Sequence, residues 1–160
     1  MSPVGMIVRS QICYGADGTL GGSGQRANDL KRDIDTLILE LNSPDVQKKA
    51  TQTLIQIGEK DPDLVIPALA KALEDNDVDR MDAQASAEKI LGQIGAKYPN
   101  IVVPVLVKIL DRNPTELWVL VSVINAFKSI TSKNPTALEP ELVERLRKIN
   151  SFVSKFRNSL

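Results

Sequence analysis

One sixteen-residue phrase occurs twice in this sequence, as GEKDPDLVIPALAKAL at 58–73 and as GAKYPNIVVPVLVKIL at 95–110. The match extends over 45–75 and 82–112 at a constant offset of 37 residues, and a more divergent third copy occupies 118–148 at an offset of 36. We call these segments units 1, 2 and 3. A fixed period of this length predicts one structural unit that recurs along the chain, each copy being a packing surface for the next.

Each unit has the pattern of two consecutive helices. In unit 1 the apolar residues Ala50, Leu54 and Ile57 recur at helical spacing and define the buried face of the first helix. Gly58 and its counterpart Gly95 are predicted to end the first helices in the left-handed conformation. The second helix is predicted to begin near the proline that follows. A helix pair of this size leaves an apolar face uncovered, so it needs a stacked neighbour.

Further helices are predicted at both ends of the units. Apolar spacing from Asp29 to Leu41 predicts a helix that covers the first unit, and the spacing of unit 3 continues through 149–157 as a capping helix. Residues 1–28 hold six of the nine glycines and are predicted to form a flexible leader. The predicted organisation is therefore a leader at 1–28 and a repeat domain at 29–160.

The composition excludes several classes of function. The chain has no histidine, which removes the commonest general base and metal ligand, and its single cysteine, Cys13, cannot form an intramolecular disulfide. The apolar run near the N-terminus is interrupted by Arg9 and is too short for a signal or membrane segment. We therefore expect a cytoplasmic protein that is not an enzyme, has no cofactor or metal site and does not bind a membrane.

An acidic loop offers the sharpest candidate for a metal site. Asp75, Asp77 and Asp79 have the spacing that opens a calcium-binding loop. Arg80 replaces the glycine required at the sixth position, and Ser86 replaces the glutamate required at the twelfth. The sequence favours an inter-unit loop whose acidic residues cap the following helix, with weak cation binding as the alternative.

Two features of the leader also have a plain interpretation. The segment GTLGGSGQ at 18–25 has no lysine after its last glycine and no clear strand before it, so a flexible segment is favoured over a phosphate-binding loop. Cys13 has no histidine or cationic helix end evident nearby, which favours an ordinary thiol over a nucleophile.

Units 1 and 2 share the pattern D-x-x-x-x-A-x-x-x-L-x-x-I-G followed by P-x-x-x-x-P-x-L-x-x-x-L, and unit 3 keeps the second half. On this pattern residues 29–150 resemble the HEAT-repeat family, its small prokaryotic members in particular. Unit 3 departs from it by placing Thr131 where the other units have glycine. The resemblance implies an all-α fold, an armadillo-like α-α superhelix or solenoid of about three helix pairs with terminal capping helices. It also implies an adaptor or scaffold that binds another protein.

Proteins that resemble this family bind macromolecules along the ridge formed by their second helices. We call the corresponding positions here the second-helix ridge. Its members are Lys71, Lys108 and Glu144, and one helical turn later Glu74, Asp111 and Arg147.

Two other features could contribute to binding. The apolar segment LWVLVSVINAF at 117–127 fits interior burial, or alternatively a partner groove anchored by Trp118. Lys60, Lys97 and Lys133 recur at the unit interval, which fits either a solvated surface or electrostatic docking of an acidic segment or a phosphate backbone.

Two rival functions follow from other HEAT-like relatives. Some bind DNA and excise damaged bases, which the basic balance of residues 100–160 favours and the scarcity of aromatic residues disfavours. Others attach or remove bilin pigments, which the absence of histidine disfavours. The overall charge of zero favours a protein partner over nucleic acid, and a monomer is favoured over an oligomer.

Overall fold

A computed structural model describes residues 23–75, 77–113 and 115–157 of the chain. The seven α-helices of this part are α1 (Ser23–Glu40), α2 (Pro44–Lys60), α3 (Pro62–Glu74), α4 (Met81–Lys97), α5 (Pro99–Arg112), α6 (Leu117–Lys133) and α7 (Pro140–Arg157). A short 3-10 helix, Val78–Arg80, precedes α4. No β-strand occurs within these three ranges, and for them the prediction of an all-α fold is confirmed.

The first helix is longer than the apolar pattern indicates. Helix α1 begins at Ser23, whereas the spacing of buried residues predicts a start at Asp29. The residues before Asp29 in α1 are mostly exposed, so hydrophobic periodicity gives no signal for them. The leader up to residue 22, with Cys13, lies outside the described residues. Helix α1 packs against α2, α3 and α4 and so covers the beginning of the units.

The prolines set the starts of the second helices in units 1 and 2. Pro62 and Pro99 occupy the first positions of α3 and α5, where a missing N–H costs no intrahelical bond. Pro67 and Pro104 lie inside the same helices, near their N-terminal ends. Unit 3 differs, because residues 134–139 form turns and α7 begins only at Pro140. The prediction of the start is therefore confirmed for two units and wrong for the third.

The prediction of left-handed glycines at the ends of the first helices is wrong. Helices α2 and α4 continue through Gly58 and Gly95 and end at Lys60 and Lys97. Neither glycine has a positive φ. The glycines are therefore needed for a reason other than backbone conformation.

That reason is the close approach of the next unit. A Cβ added to Gly58 would collide with the Cδ1 atom of Ile94 on α4. A Cβ added to Gly95 would lie 2.5 Å from Cδ1 and 2.8 Å from Cγ1 of Ile130 on α6. Each first helix thus receives an isoleucine of the following first helix at its glycine. Thr131 occupies the equivalent position in unit 3, after which the described chain has no further first helix.

The first helices pack on one another in the order α2, α4, α6, and the second helices α3 and α5 also pack directly. The contact between α4 and α6 is especially close, since a Cβ on Gly92 would lie 2.5 Å from Oγ of Ser129. The equivalent residue of unit 1 is Ile55, and α2 packs less extensively on α4 than α4 does on α6. No Cα of α7 lies within 8 Å of a Cα of α5, so the backbones of these two second helices lie further apart than those of α3 and α5.

Candidate partner-binding surface

Polar contacts repeat between the units at equivalent positions. The Tyr98 hydroxyl donates to the backbone oxygen of Glu59 at 2.9 Å, and one unit later the Asn134 amide donates to the backbone oxygen of Ala96 at 3.4 Å. Lys97 also donates to the Glu59 carboxylate at 2.9 Å, and this hydrogen bond and charge raise the pKa of the lysine. Of the three periodic lysines, Lys97 is therefore part of an inter-unit contact.

The lysines of the second-helix ridge are exposed. Lys71 lies on α3 and Lys108 lies on α5, at equivalent positions of two helices that pack on each other. Within the described residues neither ammonium group has an ion-pair or hydrogen-bond partner. Glu144 is the exposed counterpart on α7, which is separated from α5. The structure thus brings the two lysines to one surface and leaves Glu144 apart from them.

Two acidic members of the ridge, Glu74 and Asp111, are bound by arginines of the following second helix. Glu74 on α3 forms an ion pair with Arg112 on α5 at 2.9 Å and also accepts from the Asn113 amide at 2.7 Å. Asp111 on α5 forms an ion pair with Arg145 on α7. Glu74 and Asp111 therefore connect neighbouring second helices through their side chains.

The repeat pattern of the sequence did not identify Arg112 and Arg145 as site residues. Arg112 corresponds by period to Lys148, and Arg145 has no basic counterpart in unit 2, where Ile109 occupies the equivalent position. The unit period therefore could not pair them. The available signal was that the two carboxylates, Glu74 and Asp111, recur at equivalent positions.

Helix α7 carries the remaining ridge residues. Arg147 forms an ion pair with Glu144 at 2.9 Å within the helix. A shallow depression of about 520 Å³ lies beside this pair. Its lining residues are Pro140, Glu141, Glu144, Arg145 and Lys148.

Trp118 lies at the N-terminal end of α6 and is partly buried against the core. Its indole N–H donates to the carboxylate of Glu116 at 3.3 Å. The next residues on α6, Val119, Leu120 and Val123, are buried. This burial supports the interior interpretation of the apolar segment over a groove anchored by the indole.

In the acidic loop, Arg80 forms ion pairs with two of the aspartates. The Arg80 guanidinium lies 2.9 Å from the Asp75 carboxylate and 3.7 Å from that of Asp77. The backbone N–H groups of Asp77 and Asp79 donate to the carboxylates two residues earlier. Among the described residues no group of three His, Cys, Asp or Glu side chains could hold a metal ion.

The prediction that the acidic loop caps the next helix is wrong for a side-chain cap, although Asp82 of the same segment lies in the first turn of α4. Arg80 occupies the N-cap position of α4, and no side chain at that position bonds the helix. The backbone N–H of Ala83 in the first turn instead donates to the side-chain oxygen of Asn42, at 3.0 Å. A residue from the connection between α1 and α2 therefore satisfies this helix start.

Two partly buried glutamates were not identified by the sequence. Glu88 on α4 faces Ser122 and Asn125 on α6, where burial raises the pKa of its carboxyl and hydrogen bonding to the two side chains lowers it less. Burial also raises the pKa of Glu40, and the charge of Lys49 offsets part of that effect. One carboxyl oxygen of Glu40 is buried without a hydrogen-bond partner among the described residues.

Comparison of the chain with known proteins gave no match to a family model, to a curated protein or to a solved structure. In the described part of the chain, no helix combines the length and the apolar character needed to cross a membrane.

Proposed function

We propose that this chain is a HEAT-like α-solenoid that acts as a non-enzymatic cytoplasmic adaptor and binds another protein along its second-helix ridge. The repeated inter-unit contacts support the repeat architecture. Ile94 at Gly58 and Ile130 at Gly95 are equivalent contacts, and so are the side-chain bonds of Tyr98 and Asn134 to backbone oxygens. Stacked units of this kind form extended surfaces suited to macromolecular partners.

The observation that carries the binding proposal is the pair of exposed, unpaired lysines on adjacent helices of the described chain. Lys71 and Lys108 occupy equivalent positions on α3 and α5. Their neighbours Glu74 and Asp111 are paired with arginines and do not pair with the two lysines. A surface that presents unpaired cations is suited to electrostatic recognition of a partner.

The nucleic-acid alternative receives less support from the basic C-terminal half. Arg145 and Arg147 each form an ion pair with a carboxylate, so part of the positive charge of this region is neutralised. Affinity for nucleic acid depends on cations that can replace counterions at phosphates. A protein partner is therefore the preferred proposal.

The test is capture of partners from lysate by the purified protein, with and without nuclease treatment. The double variant Lys71→Glu, Lys108→Glu should lose a nuclease-resistant protein partner. The matched control is Lys48→Glu, Lys89→Glu, which makes the same charge change at exposed lysines of the first helices α2 and α4.

Capture that survives in the ridge variant would contradict the assignment of the ridge, and equal loss in both variants would indicate a non-specific charge effect. Capture that requires nucleic acid would replace the protein-binding proposal by the nucleic-acid alternative.

A further inference from the structure

The carboxylates that could neutralise Lys71 are both held by arginines. Glu74 and Asp75 follow Lys71 by three and four residues, the spacings at which side chains on a helix meet. Glu74 instead pairs with Arg112, and Asp75 pairs with Arg80 at 2.9 Å. Arginine presents a planar set of donors that matches a carboxylate better than an ammonium group does.

The same holds for Lys108. Asp111 follows it by three residues and pairs with Arg145 of the next second helix, while the residue at four is itself the cation Arg112. Both ammonium groups are therefore left without a partner within the described residues, although acidic residues lie within one turn of each.

Lys71 and Lys108 differ from the other exposed lysines of units 1 and 2 because they combine equivalent positions with the absence of an ion pair in the described chain. Lys60 and Lys97 are also equivalent and exposed, but Lys97 is paired with Glu59. Lys48 and Lys89 are also exposed, but the residues equivalent to them are Ala85 and Gln52, so neither pairs with a cationic counterpart across units 1 and 2. Lys71 and Lys108 project from packed neighbouring helices, whose axes lie about 8–10 Å apart. A polyproline II segment returns to the same side every three residues, after a rise of about 9 Å.

We propose that Lys71 and Lys108 bind an acidic segment of a partner protein in polyproline II conformation, with carboxylates three residues apart, one at each lysine. This inference rests on the proposed adaptor function and specifies the chemistry of its partner. Units 1 and 2 have a lysine at this position, and unit 3 does not. The third position is Glu144, which is paired with Arg147, and α7 is separated from α5.

The probe is a labelled peptide with Glu-Pro-Pro-Glu spacing, compared by fluorescence anisotropy with a peptide of the same composition whose glutamates are adjacent. Measurements are made at low ionic strength because exposed charge pairs are weak and screened by salt. We expect the spaced peptide to bind about threefold more tightly than the adjacent one, and Lys71→Glu, Lys108→Glu to reduce its affinity about tenfold.

Three results would overturn the inference. They are equal binding of the two peptides, an equal loss in the Lys48→Glu, Lys89→Glu control, and a labelled single-stranded oligonucleotide that binds the ridge in preference to the spaced peptide. Circular dichroism of each variant verifies that the helices are retained.

The peptide-binding experiment and the capture experiment test separate claims, so either claim can be wrong while the other is right. If the ridge variant loses its protein partner from lysate but both peptides bind with equal affinity, the adaptor function is supported and the proposed three-residue spacing of carboxylates is wrong. If the spaced peptide binds at Lys71 and Lys108 and no partner is captured, the register stands and the adaptor function lacks support.

Discussion

The side chain of Ile94 occupies the space that a Cβ on Gly58 would need, and Ile130 has the same relation to Gly95 one unit later. Both isoleucines are fully buried. The recurring glycines are thus explained by packing between successive first helices. This relationship makes the stability of the chain sensitive to a single methyl group at these positions.

Replacing Gly95 by alanine should destabilise the protein. Alanine gains about 1 kcal/mol in helix propensity, but its Cβ would lie 2.5 Å from Ile130 and 3.0 Å from Val102, and overpacking of this kind costs about 1–3 kcal/mol. We expect a net loss of about 1 kcal/mol by chemical denaturation. Gly58→Ala should cost less, since only the terminal methyl of Ile94 comes closer to the added Cβ than 3.3 Å.

A double-mutant cycle tests the cause of that loss. Ile130→Val removes the Cδ1 atom nearest to the added Cβ, so Gly95→Ala should be less harmful in the Ile130→Val background than in the wild type. Additive effects of the two substitutions would contradict the proposed collision.

The same alanine at the equivalent position of unit 3 should be tolerated. Thr131 is partly exposed, and its hydroxyl donates only to backbone oxygens of its own helix. We expect Thr131→Ala to change the free energy of unfolding by no more than about 0.5 kcal/mol. A large destabilisation would show that the position has a packing role, as Gly95 does.

Glu88→Gln should stabilise the protein at neutral pH. Burial raises the pKa of Glu88 in the folded state above its unfolded value, so the ionised form is disfavoured by folding. The stability that the protonated carboxyl contributes is fully present below the pKa of the unfolded state. It is lost as the pH rises through the pKa of the folded state. The variant, which stays neutral, should therefore have a higher Tm at pH 7 and equal the wild type below about pH 4.

The exposed Glu139→Gln is the control for that experiment. An advantage of Glu88→Gln that persists unchanged in acid would show that ionisation is not its source.

Loss of Glu74 should cost more stability than loss of Asp111. The Glu74 side chain is 22% exposed and accepts from both Arg112 and Asn113, whereas Asp111 is 56% exposed and pairs with Arg145 alone. We expect about 1 kcal/mol for Glu74→Ala and less than about 0.5 kcal/mol for Asp111→Ala, measured by thermal unfolding at low salt. Equal losses would indicate that burial does not strengthen the first pair.

The period of the sequence predicts the helix pairs well because buried positions recur in it. The starts of α3 and α5 are confirmed because Pro62 and Pro99 recur at equivalent positions and favour a helix start. Local signals are less reliable where a distant residue determines the structure. Gly58 has the local signature of a helix end, yet its environment is set by Ile94, 36 residues away.

The candidate surface is predicted only in outline. Equivalent positions identify Lys71 and Lys108, since they follow the unit period. The ion pairs that leave these lysines without partners in the described chain depend on Arg80 and Arg145, which do not follow it. Side-chain pairing between helices depends on the rotation of each helix about its axis, and the period alone does not determine that rotation.

Thr131 has a consequence for self-association. Repeating units that stack head to tail form an open interface, which can continue from one molecule to the next and produce filaments. Gly58 and Gly95 each provide a recess that an isoleucine of the next first helix fills, whereas unit 3 has the Cβ and methyl group of Thr131 at the equivalent position. A second copy of the chain could therefore not place an isoleucine against unit 3 in the way that α4 and α6 place Ile94 and Ile130 against the preceding units.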